Sequence, residues 1–289
     1  MTYLVGYTPD RSGSEALALA RTAARRPPVD LAICVVVPEP WDGPSPANVE
    51  FEYRDYIARS ADKALEKART ALGEGIDTRF MVVAARTAAE GLAAAADDIG
   101  AEAIILGSPQ DGPSRRCSFG SVGGRLMAIA GRPVMLAPRG FKRPPGEAVE
   151  RVTCAYVEGP ESDGPLAVAR DLARRHKVPL RLVTFVVRDR QMYPSNVGYD
   201  AEALIANAWR EQALEAQARA LAMMPPEVET LATLGDGPTW RKAIEAVEWK
   251  PGELLVAGAQ SVGSWGGRVF GSPFTRILRH AQVPVVAVP

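Results

Sequence analysis

Residues 253–289 read ELLVAGAQSVGSWGGRVFGSPFTRILRHAQVPVVAVP, and this stretch decides the fold. An apolar run ends in Gly258 and gives way to a loop of small residues. Gly271-Ser272 then opens a helix-like segment, and a second apolar run follows Pro284. Strand, glycine loop, helix and strand in that order form a βαβ unit whose helix start suits an anion. A close copy, AIILGSPQDGPSRRCSFGSVGGRLMAIAGRPVMLAP, occupies residues 103–138. Gly107, Gly120, Ser121, Arg125, Ala130, Pro133, Val134 and Pro138 recur as Gly258, Gly271, Ser272, Arg276, Ala281, Pro284, Val285 and Pro289, always 151 residues apart. A constant offset without a gap predicts two related halves.

Working outward, both halves alternate strand and helix. In the first, strands are expected at residues 3–7, 31–37, 78–84 and 103–106, before the quoted copy. The second strand, LAICVVV, is apolar throughout, as expected of a parallel strand covered on both faces. Ser12 or Ser14 is expected to cap the first helix, which runs to Arg25 and stops at Pro27-Pro28. A long helix over residues 49–72 and an alanine-rich one over 88–99 follow. GFKRPPGEAVE, with residues 141–150 as linker, separates domain 1 (1–140) from domain 2 (151–289). The second half repeats the order, with strands at 152–157, 179–187, 228–233 and 253–257 and helices at 164–176, 201–223 and 238–247. The fold class expected is α/β: two doubly wound, open, parallel five-stranded sheets in tandem.

Composition narrows the function classes. The 289 residues are 47% apolar and 24% charged, and Lys+Arg equals Asp+Glu at 34 each. That balance gives no global reason to expect nucleic acid or an anionic membrane as partner. No apolar run approaches the ~20 residues of a membrane helix, and MTYLVGYTPD lacks the layout of a signal peptide, so a cytoplasmic protein is expected. Cys34, Cys117 and Cys154 are scattered singly, which argues against a disulfide framework or a zinc site. Cys34 and Cys154 fall in strands as small buried hydrophobes, whereas Cys117 falls in a loop and is open to exposure. His176 and His280 stand near helix ends, where a cation favours the dipole.

Gly107 is followed after two residues by Gln110, then nine residues, then Gly120-Ser121; Gly258, Ser261 and Gly271-Ser272 repeat the spacing. With the tails RLMAIAGRPVMLAP and RILRHAQVPVVAV, each half resembles the universal stress protein family. The resemblance covers nearly the whole chain, once per half. It implies a Rossmann-like sheet ordered 3-2-1-4-5 and pairing of domains through the last strand, residues 134–137 and 285–288, within one chain or in a homodimer. It also implies ATP or a related adenine nucleotide, with Mg²⁺, as ligand.

The residues support a nucleotide site without the family. Strand order reverses between strands one and four, leaving a crevice at their carboxyl ends. Gly258 lets the backbone turn there, and Gly271 and Ser272 open a helix whose free N–H groups favour phosphate. Gly107, Gly120 and Ser121 do the same in the first half. Plain helix capping explains each Gly-Ser pair as well. Nucleotide-binding members of the family carry an Asp just after strand one; here Thr8 and Val157 stand in its place, with Asp10 and Glu158 nearby. Gln110 adds bulk where a ligand approaches, and Ser261 is small. Arg115 and Arg116 in one loop and Arg268 in the other are candidate phosphate contacts, and Trp265 reads as a cover or an interface residue. The candidate set is therefore Thr8, Gly107, Gly120, Ser121, Gly258, Ser261, Gly271 and Ser272, with the better loop in the second half.

No Ser-His-Asp order, G-x-S-x-G elbow, H-E-x-x-H or P-loop lysine occurs, so no rapid catalysis is expected, slow ATP hydrolysis apart. The leading reading is a nucleotide-binding stress-response protein. The alternatives are a paired scaffold that acts through protein contacts, and an adenine-nucleotide α/β enzyme.

Overall fold

The computed structural model describes residues 1–26, 29–39, 50–73, 75–144, 146–187, 199–259 and 273–289. They fall into two compact units, Met1–Ala148 with Pro289, and Val149–Val288. The first unit runs β1 (Thr2–Gly6), α1 (Arg11–Ala23), β2 (Asp30–Pro38), α2 (Glu50–Leu72), β3 (Thr78–Ala85), α3 (Ala88–Asp98), β4 (Ala103–Gly107), α4 (Gly120–Ile129) and β5 (Val134–Ala137). β1 pairs in parallel with both β2 and β4; β3 extends from β2 and β5 from β4. The order is 3-2-1-4-5, as the resemblance implied. α1 packs on α2 and α3 on α4. β1 and β4 are central, so Leu4, Val5, Ile104 and Ile105 are wholly enclosed, and each such side chain contributes about 1.5–3 kcal/mol.

The second unit runs β6 (Arg151–Ala155), a short 3₁₀ turn, α5 (Asp163–His176), β7 (Leu180–Val187), α6 (Tyr199–Ala222), β8 (Thr230–Gly237), α7 (Trp240–Glu245), β9 (Glu253–Gly258), α8 (Pro273–His280) and β10 (Val285–Val288). Its pairings give the same order, β8-β7-β6-β9-β10, all parallel. Two backbone bonds fix the correspondence of the halves: Tyr7 N–H donates to Cys34 C=O, and Tyr156 N–H donates to Val183 C=O, both at 2.9 and 2.8 Å respectively. Thr8 therefore matches Val157, and Val36 matches Phe185.

Several local expectations are corrected. The cap of α1 is Asp10, not Ser12 or Ser14: its carboxylate accepts the Gly13 N–H at 3.0 Å, while the Ser14 hydroxyl donates back to the Asp10 carbonyl. β6 stops at Ala155, and Val157 is exposed. β8 starts at Thr230 and runs past residue 233 to Gly237, because LGDG serves close packing. A Cβ on Gly235 would lie 2.6 Å from the Ala243 carbonyl of α7. α7 begins after its Thr239 cap rather than at residue 238. Cys117 is buried, with its thiol toward the Leu136 carbonyl.

One feature of the second unit has no signal in hydrophobic periodicity. Glu253, at the start of β9, is buried between two arginines, with Arg151 and Arg181 each 2.6 Å from a carboxylate oxygen. Thr153 also donates to Glu253, and the Arg181 guanidinium lies 5.0 Å from the centre of the Trp249 ring. Burial pulls the Arg181 pKa down against the pull of Glu253.

Candidate functional site

In the first unit the carboxyl ends of β1 and β4 open into a cavity of about 200 Å³. Thr8, Gly107, Gly120 and Ser121 all line it, so the four first-half candidates converge on one space. Val36 of β2 and Ala88 at the start of α3 form the far wall.

Each candidate is held by its local structure. A Cβ on Gly107 would meet the Ser12 carbonyl at 1.9 Å. Glycine is therefore needed here because the first turn of α1 presses against the end of β4, rather than because the chain turns. Gly120 has φ +57, a conformation that glycine adopts at least cost. It opens α4, and no side chain caps that helix. Gly120, Ser121 and Val122, the first turn of α4, line the cavity at the positive end of the helix dipole. The loop before α4 is pinned from inside: the Ser108 hydroxyl donates to Ala137 C=O at 2.7 Å and accepts from Ser118 N–H at 3.1 Å.

The opposite rim is polar in a definite sense. The hydroxyls of Thr8 and Ser12 both donate to the same Asp10 oxygen at 2.8 Å. Their protons are committed, so toward the cavity they offer lone pairs. Burial alone would raise the Asp10 carboxyl. The Gly13 N–H, the two hydroxyls and Gln110 hold it below its ordinary value, so it stays charged. Gln110 is exposed and contacts Asp10 rather than filling the cavity, and neither Arg115 nor Arg116 lines it. Sequence reasoning missed Ser12 as a lining residue; its signal was its place in the turn after strand one.

In the second unit, Gly258 lines a corresponding cavity of about 220 Å³ with Val157, Phe185, Pro165 and Trp240. A Cβ on Gly258 would meet the Pro165 ring at 2.8 Å. Glu158, the acid nearest the missing Asp, is bound by Arg219 through two bonds of 2.8 Å, and this pairing holds its carboxyl down. Ser261, Gly271, Ser272, Trp265 and Arg268 lie outside the described residues. Among the described residues no group of three or more His, Cys, Asp and Glu is arranged to hold a metal ion, and no helix is long and apolar enough to cross a membrane.

Residues 1–138 and 148–289 each match the universal stress protein family. The chain belongs to that family. Universal stress proteins of Mycobacterium bovis and Mycobacterium tuberculosis are 32% identical to it over 294 aligned residues, covering 100% of each chain. Among solved structures, a universal stress protein from Archaeoglobus fulgidus aligns over 99% of this chain and 97% of its own, with TM-score 0.61 and 15% identity. A protein from Pseudomonas aeruginosa aligns over 99% and 92%, with TM-score 0.56 and 16% identity. Those structural likenesses speak for the fold alone. Family membership carries the tandem reading, one universal stress protein domain in each half.

Proposed function

We propose that this universal stress protein binds ATP or a related adenine nucleotide in its first half, as a regulatory ligand that is not rapidly turned over. The observation that carries this reading is the junction of two polar ends on one cavity: the uncapped start of α4 at Gly120–Val122, and the acceptor hydroxyls of Thr8 and Ser12. Phosphate suits the first end. Ribose hydroxyls or the adenine amino group, which are donors, suit the second, where the charge on Asp10 disfavours phosphate. Mg²⁺ would travel with the nucleotide phosphates, since no set of metal ligands is found among the described residues.

Equilibrium titration with ATP and Mg²⁺ tests this. Binding at millimolar nucleotide or tighter is expected. Ser121→Ala and Thr8→Val should each weaken it about tenfold, the worth of one or two well-placed hydrogen bonds. Absence of binding would overturn the reading, and so would a larger loss from Ser272→Ala than from Ser121→Ala.

One observation favours a second reading, a scaffold acting through protein contacts. The first-half cavity of about 200 Å³ is smaller than the roughly 300–1,000 Å³ usual for enclosed ligand sites. Under that reading both halves are silent to ATP.

A further inference from the structure

The chain leaves β5 through a tight turn over residues 138–141. Phe141 N–H donates to Pro138 C=O at 2.9 Å, and Gly140 has φ +84, the positive value that a type II turn places at its third residue. The turn is tied on two sides. Arg139 N–H donates to Arg116 C=O, and Arg139 C=O accepts from Arg115 N–H, each at 3.0 Å. The Arg139 guanidinium donates to Gly112 C=O. These three bonds all run to the loop of residues 109–119, which leads from β4 to the start of α4. On the other side, Gly140 N–H donates to Glu15 of α1 at 2.6 Å.

Glu15 is buried, and its second carboxylate oxygen is enclosed with no hydrogen-bond partner among the described residues. Arg11 and Arg139 face it with positive charge and Asp10 with negative charge. A carboxyl placed in this way destabilises the fold, and what its position achieves is the bond to Gly140. The loop depends on such ties. Arg115 has φ +58, a left-handed conformation that residues other than glycine keep only where the surrounding structure fixes them. α1 also carries Ser12, which lines the cavity opposite Gly120 and Ser121. Glu15 therefore lies three residues on from one rim and is bonded, through the turn, to the segment that ends in the other.

We propose that Glu15 is a positioning residue for the first-half site. Through Gly140 and Arg139 it holds the loop of residues 109–119, and with it the start of α4, in place against the Ser12 rim. The ligand it serves rests on the nucleotide reading above; the tether itself does not.

Two readouts on the full chain test this. The first involves no nucleotide: it is the rate at which Cys117 reacts with dithiobisnitrobenzoate, the modified cysteine being located by peptide mass. Cys117 belongs to the tethered loop and is buried with its thiol toward Leu136 C=O. Glu15→Leu removes the acceptor but keeps a side chain of comparable bulk, and should speed the reaction about tenfold. Glu15→Gln keeps an acceptor for Gly140 and should restore the slow rate. Leu19→Ala loosens the packing of the same helix without touching the tether and should leave Cys117 slow. The second readout is titration with ATP and Mg²⁺, in which Glu15→Leu should weaken binding about tenfold and Glu15→Gln should not. An unchanged Cys117 rate in Glu15→Leu, or an equal acceleration in Leu19→Ala, would overturn the tether. Faster Cys117 with unchanged ATP affinity would overturn its role in positioning the site. Failure of the parent chain to bind ATP would overturn the nucleotide reading and leave the Cys117 rates to decide the tether, so the two can fail separately.

Discussion

The Ser12 carbonyl stands where a side chain at Gly107 would begin, 1.9 Å from the position of its Cβ. Backbone meets backbone there, so no rotamer relieves the clash. Gly107→Ala is expected to lower stability by about 2 kcal/mol or more, at the upper part of the range for overpacking. Among the described residues the one close approach to a Cβ on Gly258 is the Pro165 ring, at 2.8 Å, so Gly258→Ala should cost less. Urea midpoints of the two variants provide the comparison; an equal or larger loss at Gly258 would contradict the packing account.

Glu253 bridges Arg151 and Arg181 in their buried cluster. Removing its charge leaves two guanidiniums enclosed without it, so Glu253→Gln should destabilise the second unit by about 3 kcal/mol. Replacing all three with apolar side chains should cost far less, because no charge is then stranded. Chemical denaturation of both variants checks the difference.

Glu15 is buried in α1, with one carboxylate oxygen accepting the Gly140 N–H at 2.6 Å. Burial pushes its pKa up, against that hydrogen bond and the charges of Arg11 and Arg139. A raised folded pKa means that the folded state holds more protons than the unfolded one between the two values. The stabilising contribution is complete below the ordinary value of 4.5 and is lost as pH rises through the raised one. Glu15→Gln keeps an acceptor for Gly140 without the charge. It should be more stable than the parent at neutral pH and show a flatter decline above 4.5. Parallel pH profiles of the urea midpoint would refute this.

All three cysteines are buried, and burial pushes the thiols of Cys34 and Cys154 up to about 12. Thiolate is the reactive form, so the folded protein should react slowly with a disulfide reagent and yield three equivalents only on denaturation. Rapid reaction of Cys117 in the native state would show that its loop opens.

The gapless offset, the alternation of apolar runs and the glycine spacing fixed the tandem α/β architecture and brought Thr8, Gly107, Gly120 and Ser121 to one crevice. These are properties of residues near one another along the chain, and they follow from strand and helix periodicity and from where strand order reverses. The tertiary structure alone decided what surrounds that crevice. Asp10 spends its charge on capping α1 and on two hydroxyls, Glu158 is taken by Arg219, and Arg181 sits buried in a mostly apolar strand because Glu253 meets it from β9. Val36 with Ala88, against Phe185 with Trp240, sets the two halves apart. Such pairings join residues far apart in sequence, and their outcome depends on distance and solvent exclusion, which no local pattern encodes.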